Sequence, residues 1–219
     1  MAAIEGVEIE IDAEAVVVTA ADPLVVLSSA VVGGGLGVAR AIVNLHVHKH
    51  CPWGDAELRL DAFAARRRLP TPRVGLLTAA WTERAQVAVE SAAGVSALVV
   101  ATVGLGNVVA AGWSPVAPTP PGTINTIVIV DADVEPAALV NLALTVTEVK
   151  TLVLRASGLS TVEGGPVSGT STDAVVVAAT GRGPHVRFGG PISEAGWVVA
   201  SAMRQALTEG VRCWMRERA

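Results

Sequence analysis

Aromatic residues are scarce in this chain: it has no tyrosine, two phenylalanines and five tryptophans in 219 residues. Rings cannot fill the interior, so Val, Ala and Leu must. Charge is scarce too, at 16% against 51% hydrophobic residues, which excludes a disordered or coiled-coil chain. The basic residues are dispersed, apart from Arg66-Arg67-Arg68 and the C-terminal Arg212, Arg216 and Arg218, and the net charge is −4. A cationic face able to hold nucleic-acid phosphates is therefore missing. The two cysteines, Cys51 and Cys213, form no CxxC or zinc-knuckle spacing, as expected of a reduced, cytoplasmic protein. The N-terminus lacks the positive charge of a signal peptide and carries Glu5, Glu8 and Glu10 instead.

Long apolar stretches do occur. No charge lies between Glu90 and Asp131, and Val95 to Trp113 has the length of a membrane span, ~20 residues. Gly104, Gly106, Asn107, Gly112 and the Pro115–Pro121 segment interrupt it, and no Lys or Arg flanks it. A buried strand followed by turns is the better reading, and no membrane association is expected. The length fits one domain over residues 1–219.

The periodicity predicts strands at Val7–Asp12, Ala15–Thr19, Leu24–Val32, Ala41–His48, Val74–Thr78, Ala85–Val89, Val95–Val103, Ile124–Val130 and Ala174–Ala179. Helices are predicted over Asp55–Leu69, over Val134–Arg155 with Asp131 and Asp133 capping it and Pro136 in its first turn, and from Pro191 toward Arg218. Regular βαβ alternation is missing. The expected fold is α+β, a largely antiparallel or mixed sheet covered by long helices.

Several site motifs are missing as well. Gly33–Gly37 is not G-x-G-x-x-G because Arg40 occupies the last position; no glycine loop leads to a Walker lysine, and Gly169-Thr170-Ser171-Thr172-Asp173 is not a nucleophile elbow. Three other features carry chemistry. His46, His48 and His50 would share one face of a strand, as a metal site, a general base or a solvated edge. Asn141, Thr145 and Glu148 make one polar stripe on an otherwise apolar helix. There Glu148 is expected to be buried, either as a general acid or base or as the counter-ion of a lysine. The loop Ser168–Asp173 offers hydroxyls and N–H groups, with Asp173 placed to orient a base or simply to brace a turn; Gly122-Thr123-Ile124-Asn125 is a similar polar start to a strand.

Taken in register, Ser28-Ser29-Ala30-Val31, Gly33-Gly34-Gly35, Asn44-x-His46-Val47-x-Lys49-His50, Gly75–Ala79, Gly122–Asn125, Thr147-Glu148-x-Lys150 and Gly169–Asp173 resemble the adenosylcobinamide amidohydrolase (CbiZ) family. Cys51 and His48 depart from its pattern, where an aromatic residue and an Asp are expected. The resemblance implies hydrolysis of the amide joining the aminopropanol arm of adenosylcobinamide to the corrin ring. It implies a corrinoid small molecule as partner, with self-assembly the only macromolecular association left open. No cofactor is implied, since the corrinoid is the substrate, and no residue is assigned to a metal. His46, Glu148 and Asp173 are the catalytic candidates. Gly34, Gly35, Asn44, Lys49, His50, Thr123, Asn125, Lys150, Thr170 and Thr172 are the candidates for substrate binding. A threonine-nucleophile hydrolase using Thr123, Thr170 or Thr172, and a non-catalytic corrinoid-binding module, are the alternatives. Glu148→Gln is expected to abolish hydrolysis.

Overall fold

The computed structural model describes residues 4–49, 53–116 and 122–217. In chain order these form β1 (Val7–Ile11), β2 (Ala15–Ser28), β3 (Gly35–His46), α1 (Ala56–Arg67), β4 (Arg73–Thr78), β5 (Gln86–Ala92), β6 (Val95–Val103) and β7 (Val108–Val109). They continue with β8 (Ile124–Asp131), β9 (Asp133–Val134), α2 (Pro136–Ala156), β10 (Gly169–Thr170), β11 (Ala174–Ala179), β12 (His185–Val186) and α3 (Glu194–Arg216).

The large sheet runs β4-β3-β2-β11-β8-β6-β5, with β1 on β2. It is mixed: β3–β4 and β11–β8 are parallel and the other pairs antiparallel. The expected α+β class is what the chain adopts.

The sheet is doubled over on itself. The long β2–β3 hairpin makes the fold, with a register shift between Thr19 and Leu24 where Asp22 and Pro23 interrupt the ladder. Arg40 Nη1 donates to Ala21 O at 2.7 Å across this bend. The first half of β2 pairs with β1 and the second half with β11, so its two halves serve two facing sheets. Ala15–Thr19 and Leu24–Val32, expected as separate strands, form one strand that ends at Ser28.

Side-chain alternation then sorts the apolar residues into three layers. Val16, Val18, Ile42 and Leu76 meet Leu98, Val100, Ile127, Ile129 and Val176 between the facing sheets. The next residues along the same strands point outward. Val17, Val43 and Leu45 pack under Leu60 and Phe63 of α1. Val99, Val128 and Val177 pack under Leu139, Leu142, Met203 and Leu207 of α2 and α3. The order is helix, sheet, sheet, helices. Gly75 keeps α1 close, since a Cβ there would lie 2.7 Å from Leu60 Cδ1.

The ends of α2 and β3 differ from expectation. Asp131 and Asp133 do not cap α2: Asp131 binds Thr180 and Arg182, Asp133 binds His185, and the cap position is Glu135 with no side-chain bond. Pro136 does open the helix. β3 stops at His46, not His48. Among the described residues α2 is the one helix long and apolar enough to cross a bilayer, by length and composition alone; a third of its most apolar window is buried inside the protein.

Candidate active site at the polar end of the inter-sheet layer

The apolar layer between the sheets ends in polar residues. Asn44 continues the inward phase of Ile42, Thr78 that of Leu76, Thr102 that of Val100, and Asn125 that of Ile127. All four are buried, and a buried polar group needs a partner. Asn44 Nδ2 donates to Thr102 Oγ1 at 2.9 Å. Asn125 Nδ2 donates to Asn44 Oδ1 and to Leu77 O, both at 2.8 Å. With both amide hydrogens so used, Asn125 Oδ1 faces Thr123 Oγ1 at 2.9 Å and accepts its proton. Thr172 O is the other acceptor near that hydroxyl, at 2.8 Å. Thr172 Oγ1 in turn donates to Gly122 O at 2.9 Å.

Asp173 braces this cluster from behind. Its carboxylate accepts from Ile124 N at 3.0 Å, Thr170 N at 3.1 Å, Thr170 Oγ1, and Lys150 Nζ at 2.5 Å. Gly169 is needed here because a Cβ would lie 2.5 Å from Asp173 Oδ2. One carboxylate thus ties α2, β10 and the first residue of β8 together. Its oxygens are saturated with donors.

Asn107 stands beside the cluster, 7% exposed. Its Nδ2 donates to Ser171 Oγ at 2.6 Å, while its Oδ1 is the buried side-chain atom left without a partner among the described residues. That oxygen would sit 2.4 Å from a Cβ at Gly122. A cavity of about 210 Å³ opens against Gly122 and Gly104, walled by Trp81, Trp214, Lys49 and Arg84.

The predicted residues divide. Asn44, Thr123, Asn125 and Thr172 join one hydrogen-bonded cluster, and Lys150, Thr170 and Asp173 a second, the two adjoining along the chain at Thr123–Ile124 and Thr172–Asp173. His46 borders them: its ring stacks on Trp81 with centroids 5.0 Å apart, and Nδ1 lies 2.9 Å from Ala80 O. A carbonyl only accepts, so Nδ1 carries the proton and Nε2 is the basic nitrogen of the neutral ring. The imidazole lines a different groove, of about 610 Å³, with Arg59 and Arg66. His48 lies past the end of β3, so the strand face predicted for the histidines is not formed, and His50 lies outside the described residues. No cluster of three His, Cys, Asp or Glu suited to a metal occurs among the described residues.

Glu148 requires a correction. It is exposed, whereas Lys150 is buried. Two residues on a helix lie about 200° apart, so a helix that aims Lys150 at Asp173 turns Glu148 away from it. Gly34 and Gly35 shape the β2–β3 turn: Gly35 has φ +89°, and a Cβ on Gly34 would lie 2.6 Å from Ala30 O. Lys49 is exposed on the cavity wall.

Thr78, Thr102, Asn107 and Trp81 were not among the candidate site residues. For Thr78 and Thr102 the signal was available: a polar residue in the inward phase of a buried strand demands a partner, and several such strands ending alike point to one site.

A buried amide-and-hydroxyl network at the lip of a cavity suits a hydrolase of amide bonds, and the chain is one. It belongs to the adenosylcobinamide amidohydrolase family, whose profile matches residues 2–219. Among solved structures it is similar to a beta-aminopeptidase of a Burkholderia species, at 16% identity and TM-score 0.48 over 91% of this chain and 79% of that one. It is also similar to the PH0078 protein of Pyrococcus horikoshii OT3, at 12% identity and TM-score 0.45 over 94% and 82%. An L-aminopeptidase D-Ala-esterase/amidase of Ochrobactrum anthropi, described as a variant of the Ntn-hydrolase fold, has 12% identity and TM-score 0.38 over 94% and 82%. No curated protein matches.

Proposed function

We propose that this chain hydrolyses the amide between the aminopropanol arm and the corrin ring of adenosylcobinamide, releasing adenosylcobyric acid and the amino alcohol. The observation that carries the reading is the family match over essentially the whole chain. The geometry is compatible with it in scale. A cavity of about 210 Å³ is too small for a corrinoid, since even drug-sized ligands fill roughly 300–1,000 Å³. The arm and its amide enter, and the macrocycle stays at the mouth. Trp81, 55% exposed, offers it a flat apolar face, and Lys49 and Arg84 offer donors for peripheral amide oxygens.

Amide hydrolysis needs a nucleophile, donors for the oxyanion and a proton for the leaving amine. The cavity reaches Gly122, and the groups on hand behind it are the hydroxyls at Thr123 and Thr172 and the side-chain amides at Asn44, Asn125 and Asn107. Asp173 and Lys150 position them and do not exchange protons with substrate. Glu148 takes no part.

The test is incubation of the purified protein with adenosylcobinamide, followed by chromatography. Adenosylcobyric acid should accumulate with time and enzyme concentration. Binding without product would leave a corrinoid-binding module and overturn the enzymatic reading.

A further inference from the structure

We infer that the Gly122–Thr123 peptide bond is a self-cleavage site, and that Thr123, once it becomes a chain terminus, is the nucleophile of the hydrolase. The inference deepens the reading of this layer end as the amide-hydrolysing site, but its first half stands on geometry alone.

Four observations meet at this bond. Thr123 is the residue before β8, so its hydroxyl is held at the edge of a rigid sheet, not on a loop tip. Its Oγ1 proton has waiting acceptors in Asn125 Oδ1 at 2.9 Å and Thr172 O at 2.8 Å, which leaves oxygen lone pairs free to attack. The carbonyl immediately before it, Gly122 O, accepts from Thr172 Oγ1 at 2.9 Å. That donor sits where negative charge would develop if Thr123 attacked its own preceding carbonyl. Finally, Asn107 Oδ1, buried and without a partner among the described residues, presses on Gly122. A Cβ there would lie 2.4 Å from it, so only glycine can present this carbonyl. An unpartnered buried acceptor loses its hydration with nothing in return. Such a cost is recovered if the group receives a donor, and the amine released by cleavage is one.

The step balances without any added reagent but water. Thr123 Oγ1 attacks the Gly122 carbonyl carbon; the C–N bond breaks and the hydroxyl proton passes to the Thr123 nitrogen, leaving an ester. Water then hydrolyses the ester, giving a Gly122 carboxylate, the regenerated Thr123 hydroxyl and a free α-amine. The amine is now the base that a hydroxyl nucleophile requires, the pairing used by threonine nucleophiles at a chain start. Attack of the same oxygen on an external amide repeats the chemistry with the substrate's amine leaving. This also accounts for a hydrolytic site whose neighbouring carboxylate is saturated and whose nearest imidazole faces another groove.

Intact-mass spectrometry of the purified, denatured protein decides the first half without any corrinoid. The expected result is two chains, residues 1–122 and 123–219, whose masses sum to the full chain plus one water, the second beginning Thr-Ile-Asn-Thr. Thr123→Ala should give one uncut chain, Thr123→Ser should still cleave, and Thr172→Val should slow cleavage at least ~100-fold, the cost of losing one oxyanion donor. Thr123→Ser keeps the test open should Thr123→Ala fail to fold. An uncut wild-type chain, or fragments that persist in Thr123→Ala, would overturn the proposal. Cobinamide turnover separates the two readings. An uncut wild type that makes cobyric acid refutes self-cleavage and keeps the corrinoid reaction. A cleaved wild type that makes none refutes the corrinoid reaction and keeps self-cleavage.

Discussion

Lys150 and Glu148 lie two residues apart on α2 and live in different worlds. Lys150 is 8% exposed and holds Asp173 at 2.5 Å. Glu148 lies on the outer face, in line with Val140, Leu144 and Leu152, which are 47%, 56% and 67% exposed. The helix is thus apolar on both faces, and the charged residue with work to do is the one whose side is closed off by β10 and β11. Burial gives a charge its leverage. In a site shielded from water, an ion pair organises everything it touches, and losing one member leaves the other stranded. The same residue type outside is screened and replaceable.

The sharpest way to break the comparison is to remove the inner cation. Lys150→Met should cost about 3 kcal/mol, the low end for stripping a buried pair of one partner, read from urea unfolding. It should also slow hydrolysis, because Asp173 would no longer hold Thr170 and the start of β8 in place. A loss below about 1 kcal/mol would place the pair among ordinary surface contacts.

Asn125→Leu probes the same region without charge. It strips Asn44 Oδ1 and Leu77 O of a donor and Thr123 of an acceptor. About 2 kcal/mol of stability should go, within the range for orphaned buried acceptors, together with measurable turnover. A variant as stable and active as the parent would dissolve the network as a functional unit.

A weaker effect is expected at the exposed His185, whose Nδ1 lies 2.9 Å from Asp133 and whose Nε2 lies 3.1 Å from Glu135. The hydrogen bond with Asp133, then that with Glu135, raises its pKa above the usual 6.5. Its folded pKa is the higher one, so its contribution to stability is complete below 6.5 and fades as pH rises through the raised value. Imidazole titration by NMR should show this, and Asp133→Asn should bring the midpoint back down. An unmoved midpoint would discard the contact.

The smallest effect belongs to the outer face. Glu148→Gln should change stability by no more than about 0.5 kcal/mol, as exposed substitutions do, and should leave hydrolysis of the cobinamide amide intact. A folded Glu148→Gln with no turnover would reverse the assignment of the two faces.

Much of the fold was legible. Val95–Val103 and Ala174–Ala179 are strands with the predicted bounds, because short valine-rich apolar runs flanked by glycine or polar turns allow little else. Pro136 lies in the first turn of α2 as expected. The site was legible in part. Thr123 and Asn125 stood out as polar residues at a strand start and Thr172 in a polar loop, whereas Thr102 was hidden inside an apolar run. Glu148 misled for a definite reason: with apolar residues all round α2, period 3.6 does not say which side faces the sheet.

What the linear sequence determined alone was the alternation within each strand and the motif set of the amidohydrolase family. Local sterics and composition suffice for those. The tertiary structure decided which polar residues meet. The bend of the β2–β3 hairpin laid β3 and β4 over β8, bringing Asn44 onto Asn125 across 81 positions of chain. It also chose Lys150 over Glu148, since helix orientation is set by how many side chains the covering sheet can bury, a sum over contacts that no local pattern contains.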